Sequence, residues 1–218
     1  MRWTCLRLKS VNPIVEVISR MLKIIGGYLS GRNILSVPGE ETRPPLARVR
    51  EAVANILQPR LEEAQVLDLF AGTGSYSFEL ISRGARNAVL IDKNPKAVEV
   101  IKKNVARMGL ENQVRVIRGD ALKVIDQLAI KGQSFDIIIV APPYFTGLDA
   151  LSMRKLSQTG LLAPGGIVVL QQAMEEQLVD AYGVLKSRKT YKYGDTRITT
   201  YVVKDIGDQS EEPELENR

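Results

Sequence analysis

The sequence predicts an α/β fold built on a mostly parallel β-sheet, with a C-terminal antiparallel hairpin and a small N-terminal appendage. From residue 65 onward, five short apolar runs alternate with four stretches of helical character. The runs are apolar throughout, which is typical of strands that are buried on both faces of a sheet. The alternation of such strands with helices favours parallel strands that are joined by right-handed crossovers.

The N-terminal appendage is predicted to combine a hairpin with a helix. Residues 23–37 contain two short stretches of strand character around glycine turns. A helix is predicted to begin at residues 42–45 (Thr-Arg-Pro-Pro) and to run to about Leu57, because proline is tolerated in the first helical turn. Apolar residues recur at helical spacing along it, so one of its faces can pack on the sheet.

The elements of the main domain follow in regular order. We predict strands at 66–70, 88–91, 114–117, 137–140 and 166–170. We predict helices at 75–83, 95–108, 122–131 and 148–159, and a last helix at 175–182. The stretches 184–193 and 197–203, joined through Gly194-Asp195, are predicted to form the antiparallel hairpin that completes a seven-stranded sheet.

Charge is distributed unevenly along the 218 residues, whose formal net charge is +5. Residues 205–218 hold one Arg against six acidic residues, which leaves 29 basic and 19 acidic residues in 1–204. A basic body favours a polyanionic partner, although lysine-rich solvated faces would give the same balance. We divide the chain into an extension (1–20), a hairpin and helix (21–60), a main domain (61–204) and an acidic disordered tail (205–218).

Composition excludes several kinds of site. The chain contains no His and one Cys, Cys5, which excludes a disulfide framework, a cysteine zinc cluster and His-dependent hydrolysis. We therefore expect no metal. No apolar run approaches the roughly 18 residues of a membrane helix, so we expect a soluble, cytoplasmic protein. Basic residues in 1–20 make a weak case for an organellar transit segment instead.

The first motif is an acidic strand end that leads into a glycine turn, Asp68-Leu69-Phe70-Ala71-Gly72-Thr73-Gly74. Ligands of open α/β sheets bind at the carboxyl ends of the strands, and glycines let the backbone approach a ligand closely. A dinucleotide site would require a third glycine where this chain has Ser77. A carboxylate at the strand end opposes a pyrophosphate and suits an ammonium- or sulfonium-bearing amino acid. A Gly-x-Gly turn alone is weak evidence, but with the preceding Asp and the sites described next it favours S-adenosylmethionine.

Acidic residues also follow the next two predicted strands. Asp92 could accept hydrogen bonds from both hydroxyls of a ribose, and Asp120 could accept one from the adenine amino group. Each of them could instead cap the helix that follows it, because Asp is a preferred N-cap residue. Together with Asp68, these acids at three consecutive strand ends favour a nucleoside cofactor.

The fourth strand is followed by Ala141-Pro142-Pro143-Tyr144. Two prolines cannot continue a strand, so the segment is predicted to project a rigid loop over the pocket. Tyr144 could stack on a flat base that is extruded from its helix, and carbonyls around Pro142 could accept from an exocyclic amine. The alternative is a simple rigid turn with Tyr144 packed in the core.

These motifs resemble class I methyltransferases with an Asp/Asn-Pro-Pro-Tyr loop. The likeness is closest to the bacterial RsmD family, which methylates guanine N2 in small-subunit (16S-type) rRNA. It covers roughly residues 23–203 and includes residues 42–44 (Thr-Arg-Pro), 48–51 (Arg-Val-Arg-Glu) and 193–196 (Tyr-Gly-Asp-Thr). The resemblance implies a Rossmann-like fold, S-adenosylmethionine as cofactor, and a monomer that acts on rRNA or on a small-subunit assembly intermediate.

The resemblance also implies roles for individual residues. The residues implied to hold the cofactor are Asp68, Phe70, Gly72, Gly74, Asp92, Lys93, Asp120 and Ala121. The residues implied to form the catalytic loop are Ala141, Pro142, Pro143 and Tyr144. The residues implied to face RNA are Lys23, Arg32, Arg43, Arg48 and Arg50. For Arg50 a structural role is the alternative, because an arginine on this helix could pair with its neighbours or with the sheet edge.

Ala141 departs from the pattern of the resembled enzymes, which have Asp or Asn at this position. That side chain accepts a hydrogen bond from the target amine and offsets the charge that develops on it, and alanine can do neither. Either the chain is an impaired enzyme that acts in RNA binding or assembly, or another group is the acceptor, or the alanine was introduced. Methyltransferases of DNA adenine or protein glutamine use similar loops, but the chain lacks the large target-recognition domain of the DNA enzymes.

Overall fold

A computed structural model describes residues 22–37 and 47–204. In these residues the strands are β1 (Leu22–Lys23), β2 (Asn33–Ile34), β3 (Gln65–Asp68), β4 (Asn87–Asp92), β5 (Val114–Arg118), β6 (Phe135–Val140), β7 (Leu162–Ala173), β8 (Ala181–Tyr182), β9 (Leu185–Tyr193) and β10 (Thr196–Val203). The α-helices are α1 (Ala47–Leu57), α2 (Ser75–Ser82), α3 (Pro95–Met108), α4 (Ala121–Ile130) and α5 (Leu148–Leu156). A 3₁₀ turn, Gln58–Arg60, follows α1.

The main sheet has the strand order β5-β4-β3-β6-β7-β10-β9-β8. The first five of these strands pair in parallel, and β10, β9 and β8 continue the sheet in antiparallel pairs. The predicted alternation of strands and helices and the closing hairpin are thus confirmed. The sheet has one strand more than predicted within the described residues, because β8 adds two residues at the edge of β9.

The predicted helix at 175–182 is wrong. A helix would need its own carbonyl groups for internal hydrogen bonds, but side chains from outside the segment bind them here. The buried Arg197 guanidinium donates to the carbonyls of Met174 (3.3 Å) and Glu176 (2.5 Å), and the Gln172 amide donates to the carbonyl of Gln177 (3.3 Å). The segment therefore forms an irregular turn that leads into β8.

Helices cover both faces of the sheet, and the sheet lies between two apolar cores. One core contains β-sheet residues such as Val66 together with side chains of α1, α2 and α3. The other core contains Leu67 and the sheet residues that point to the same face, together with side chains of α4 and α5. Because consecutive residues of β3 enter opposite cores, the strand is buried on both faces, as its continuous apolar sequence predicts.

The N-terminal hairpin is confirmed and is attached to helix α2 by buried polar groups. Strands β1 and β2 pair in antiparallel register, and the glycine turn between them lies against the C-terminal end of α2. The Glu79 carboxylate, fully buried, accepts from the backbone N–H groups of Ile25 and Gly26, both at 2.8 Å. Ser82 completes the attachment, because its hydroxyl accepts from Leu29 N–H (2.9 Å) and donates to the Gly26 carbonyl (2.5 Å).

Helix α1 is present, and its predicted start at residues 42–45 lies outside the described residues, as do 1–21 and 205–218. Among the residues that are described, none of the helices combines the length and the apolar character of a membrane span.

Substitution of Gly27 tests how tightly the hairpin is seated on α2. Gly27 has a φ of +77°, and a Cβ added there would lie 1.8 Å from the Ser82 carbonyl oxygen. Gly31 has a similar φ of +82°, but a Cβ there would meet nothing within 4 Å. Both alanine variants carry the backbone strain of a positive φ, so this strain cancels in the comparison. We expect Gly27→Ala to lose about 2 kcal/mol more stability than Gly31→Ala, because only the Cβ at Gly27 is overpacked. Urea unfolding of the two variants measures the difference, and equal midpoints would contradict the tight seating.

Candidate active site

The predicted site residues gather at one edge of the sheet. Strands β5, β4, β3 and β6 are parallel neighbours, so their carboxyl ends meet on the same side. Asp68 ends β3, Asp92 ends β4, Asp120 follows β5 and Ala141 follows β6. Four segments that are distant in sequence therefore converge where open α/β sheets bind their ligands.

Asp68 is the most buried acid of this edge, with 1% of its surface exposed. Its Oδ2 accepts from the Ser77 hydroxyl (2.9 Å), while the buried Oδ1 has no hydrogen-bond partner among the described residues. Burial raises the pKa of Asp68 to about 7, against hydrogen bonds from the Ser77 hydroxyl and the Phe70 backbone and with a smaller contribution from the Asp92 charge. A buried carboxylate oxygen without a donor suits a ligand that brings a cationic N–H group, such as the ammonium of an amino acid.

Asp92 holds the glycine turn instead of capping a helix. Its Oδ2 accepts from Gly72 N–H and its Oδ1 from Asn94 N–H, both at 2.8 Å. Helix α3 is capped by Asn94, whose side chain accepts from Lys96 N–H (2.9 Å). The capping alternative for Asp92 is therefore wrong, and the carboxylate is oriented at the strand end beside the turn.

Asp120 is the N-cap of helix α4, as its capping alternative predicts. Its side chain accepts from Lys123 N–H at 3.2 Å and is exposed. Of the residues beside these acids, Ala121 is buried, Phe70 is half-buried and Lys93 is exposed. Capping and ligand binding are compatible, because an ionised carboxylate has about four lone-pair sites.

The two glycines of the turn do different things. Both have positive φ, +56° at Gly72 and +79° at Gly74. A Cβ on Gly74 would lie 2.5 Å from the Phe78 ring and 3.0 Å from Leu90, whereas a Cβ on Gly72 would meet nothing within 4 Å. Gly74 is thus required for packing of the turn on α2 and β4, and Gly72 presents open backbone at the strand edge.

The Ala141–Tyr144 loop is held by a chain of hydrogen bonds below Tyr144. The Gln171 amide donates to the Tyr144 hydroxyl (2.9 Å), and that hydroxyl also forms a hydrogen bond with Thr196 Oγ1 (2.9 Å). The Tyr76 hydroxyl in turn donates to Gln171 Oε1, and burial raises the pKa of Tyr76. Tyr144 is half-buried and fixed at its hydroxyl end, so it is not simply a residue of the apolar core.

Sequence reasoning missed three residues that support the site. Gln171 lies on β7 and has no sequence signal, whereas Thr196 belongs to the closing Gly-Asp-Thr block that the resemblance includes. Asn104 is the third: fully buried on α3, it accepts from Leu35 N–H (2.8 Å) and donates to the carbonyls of Leu35 (3.1 Å) and Thr73 (3.2 Å). An asparagine at a helix position that faces the core is the signal that could have found it.

The residues expected to face RNA separate into two groups. Lys23, Arg32 and Arg48 are exposed, and Arg43 lies outside the described residues. Arg50 is 1% exposed and donates from Nη2 to the Lys23 carbonyl (2.6 Å), so the expectation that it faces RNA is corrected to its structural alternative. Burial lowers the pKa of Arg50, while the nearby charge of Glu79 opposes that shift.

Two further features do not belong to this edge. A groove of about 530 Å³ lies at the amino ends of the strands, where Gln65, Asn87, Val114 and Phe135 line it. This groove therefore lies at the opposite end of the strands from Asp68. Within the described residues there is no group of three or more Cys, Asp and Glu side chains that could hold a metal ion.

Comparison with known proteins extends these observations. Residues 22–202 match the protein family described as Conserved hypothetical protein 95. Ribosomal RNA small subunit methyltransferase D of Escherichia coli K12 is 33% identical over 160 residues, which are 73% of this chain and 79% of that protein. A solved structure of a hypothetical protein from Thermus thermophilus has a TM-score of 0.70 at 30% identity, covering 82% of this chain and 98% of that one.

A more distant solved structure, that of SMU.776 complexed with SAH, has a TM-score of 0.59 at 16% identity, over 70% of this chain and 49% of that one. At this identity the likeness concerns the fold alone. Together with the strand order, it confirms the Rossmann-like α/β architecture.

The raised pKa of Asp68 predicts a pH-dependent stability. Its pKa rises from 3.8 to about 7 on folding, so between these pH values the folded state binds more protons than the unfolded state. The free energy of unfolding contributed by this group therefore falls as pH rises through that window. We expect Asp68→Asn, which keeps the shape without the charge, to be more stable than the parent at pH 8 and to lose this advantage towards pH 4. Urea unfolding at both pH values measures it, and an advantage that is the same at both would contradict the burial of a titrating carboxyl.

Proposed function

The chain belongs to the Conserved hypothetical protein 95 family, and from this premise we propose that it methylates guanine N2 in small-subunit rRNA with S-adenosylmethionine as methyl donor. The family membership agrees with the resemblance to RsmD-type methyltransferases. One observation carries the proposal: the buried Asp68, whose Oδ1 has no donor among the described residues, the oriented carboxylate of Asp92 and an anchored Pro-Pro-Tyr loop lie at the same edge of one sheet.

The donor side of the reaction is assigned to the ends of β3, β4 and β5. S-adenosylmethionine supplies an electrophilic methyl group on a sulfonium. Asp68 would hold the ammonium of its methionine part, Asp92 the ribose hydroxyls and Asp120 the adenine amino group. Gly72 would bring backbone against the ligand. Phe70, Lys93 and Ala121 flank these positions in sequence and complete the proposed pocket.

The acceptor side is assigned to the loop after β6. Tyr144, fixed through its hydroxyl, would stack on the target base, and the backbone carbonyl at the buried Pro142 would accept a hydrogen bond from the exocyclic amine. Pro143 keeps the loop rigid, and its carbonyl accepts from the Thr146 hydroxyl (2.7 Å). Ala141 offers no side-chain acceptor, so the loop positions the amine without offsetting its developing charge.

The basic hairpin and helix are proposed to bind the RNA backbone. Lys23, Arg32 and Arg48 are exposed on the N-terminal elements, and Arg43 would join them. Phosphate contacts of this kind position a substrate without reading its sequence. The Escherichia coli relative described above names an rRNA substrate, and we propose that the reaction takes place in the cytoplasm.

A second candidate function follows from Ala141. If the amine needs the missing acidic or amide side chain, the chain binds cofactor and rRNA but transfers methyl groups slowly, and it then acts in assembly of the small subunit. The intact supports of Tyr144 favour retained base binding in either case.

Mass analysis of small-subunit rRNA nucleosides tests the proposed function. Cells that lack the gene should lose one N2-methylguanosine and regain it with the parent gene. Complementation with Gly72→Val should fail, because a side chain at this position would occupy the space against the cofactor backbone contact. Gly72→Val carries the backbone strain of a positive φ, but a Cβ there meets nothing within 4 Å, so we expect the variant to fold with lowered stability.

Calorimetric titration of the purified Gly72→Val variant with S-adenosylmethionine is the accompanying control. Unchanged cofactor affinity in this variant would contradict the assignment of the cofactor pocket to this turn. Unchanged rRNA modification in the cells that lack the gene would favour the assembly role over the enzyme.

Restoring an acid in the loop tests the role of Ala141. We expect Ala141→Asp to raise the single-turnover rate on an rRNA fragment by about 10²-fold, because one electrostatic partner of a transition state contributes on this scale. Cofactor affinity should stay the same, since the residue belongs to the base-facing loop. Equal rates in both forms would show that the acceptor lies elsewhere.

Neutralising the exposed basic residues tests the RNA-binding face. In the triple variant Lys23→Gln, Arg32→Gln, Arg48→Gln, the negative slope of log K against log salt should become shallower by about 2. Each phosphate contact contributes about 0.7 to the magnitude of this slope on single strands. Arg50→Gln is the control for a buried position: it removes one arginine charge there, so it should lower stability and leave the salt slope unchanged. A triple variant with the parent slope would show that the basic face only solubilises the protein.

A further inference from the structure

Phe145 is exposed in an unfavourable backbone conformation directly after the Pro-Pro-Tyr turn. The side chain is 70% exposed, and its φ is +59°. A bulky residue in this region is strained, and strain of this kind persists only where surrounding structure enforces it. An apolar ring held out into solvent at this cost points to a contact that the described residues do not provide.

The conformation is enforced by Glu176. Its Oε1 accepts from Phe145 N–H (2.7 Å) and its Oε2 from Ala173 N–H at the end of β7 (2.8 Å). The carbonyl of Glu176 is bound in turn by the buried Arg197 of β10 at 2.5 Å. The strained backbone of Phe145 is therefore tied to the central part of the sheet.

The ring of Phe145 cannot stack on the same base as Tyr144. The two ring centroids are 6.4 Å apart and their planes meet at 80°, an edge-to-face arrangement. A planar base that lies parallel to one ring is nearly perpendicular to the other. Tyr144 cannot turn to change this relation without losing the hydrogen bonds of its hydroxyl to Gln171 and Thr196.

We propose that Phe145 is a second stacking platform, which takes an unpaired nucleobase next to the target base in the same RNA strand, and that Glu176 is its positioning residue. The proposal rests on the proposed function, which assigns Tyr144 to the target base. A base that is extruded from its stack leaves its neighbour with one uncovered face, and an exposed aromatic ring covers such a face whatever the base is. Phe145 then contributes to affinity for the RNA and has no part in methyl transfer.

The test measures the binding of an rRNA fragment that spans the target guanine, after its position has been found by mass analysis of rRNA fragments from cells with and without the gene. We expect Phe145→Ala to weaken binding about tenfold, as loss of one base–aromatic stack does, and Phe145→Trp to retain affinity. The salt slope should stay at the parent value in Phe145→Ala, because no phosphate contact is lost. Ile130→Ala is the control for losing an exposed apolar side chain, since Ile130 is 86% exposed at the end of α4.

An abasic substitution in the RNA identifies the contact. With the base on one side of the target guanine removed, the parent protein should bind as weakly as Phe145→Ala binds the intact fragment, and the two changes together should cost no more than either alone. Glu176→Ala should weaken binding in the parent and have no further effect on binding in the Phe145→Ala background. A merely structural role of Glu176 would lower affinity equally in both backgrounds.

Two results overturn the inference while the proposed function stands. In the first, the fragment is methylated, and the parent and Phe145→Ala bind it with equal affinity. In the second, Phe145→Ala loses affinity only for assembled small-subunit particles, which would assign Phe145 to contact with a ribosomal protein. Absence of both binding and methylation of the fragment by the parent protein would instead overturn the proposed function.

Discussion

Leu67 of β3 pairs in parallel register with Val89 of β4 on one side and Ile138 of β6 on the other, and the site depends on this register. In this register Asp68 pairs with Leu90, so β4 extends two residues beyond the end of β3 and the turn after Asp68 runs beside Asp92. The Ala71 N–H donates to the Ile91 carbonyl (2.9 Å), and Gly72 N–H donates to the Asp92 carboxylate. A slip of one residue would turn every side chain of β3 to the other face and move Asp68 from the site into the opposite layer.

Buried polar groups connect the N-terminal elements to the same site. Glu79 and Ser82 hold the glycine turn of the hairpin on α2, and α2 begins at the turn that carries Gly72 and Gly74. Asn104 binds both Leu35 and the Thr73 carbonyl, so the chain leaving the hairpin is tied to the middle of that turn. Groups of this kind are costly to bury without partners, and their directional bonds fix one arrangement where apolar packing would tolerate several. The hairpin with the proposed RNA-facing residues Lys23 and Arg32 is therefore joined by hydrogen bonds to the proposed cofactor turn.

The sequence predicted what depends on local periodicity and missed what depends on distant partners. Continuous apolar runs identified the strands of the parallel sheet, and α3 has the predicted bounds because Pro95 begins it and Gly109 ends it. The segment 175–182 has helical composition, but the guanidinium of Arg197, about twenty residues later, binds the carbonyls of Met174 and Glu176 at its start. Charge likewise indicated a basic N-terminal region without showing that Arg50 points inward, because the face that a helix buries is set by what it packs against.

In the loop after β6, the residues that would hold the base are supported independently of the residue that would affect the reaction rate. Tyr144 is fixed through Gln171 of β7 and Thr196 of β10, and the backbone of the next residue is fixed through Glu176 in the turn after β7. The two rings meet at 80°. None of these supports involves the side chain of Ala141. A change at that position therefore alters the electrostatics at the target amine while the surfaces that hold the base stay in place. Selection on RNA binding and selection on methyl transfer can act independently on such a loop, because its geometry does not depend on the residue that determines its rate.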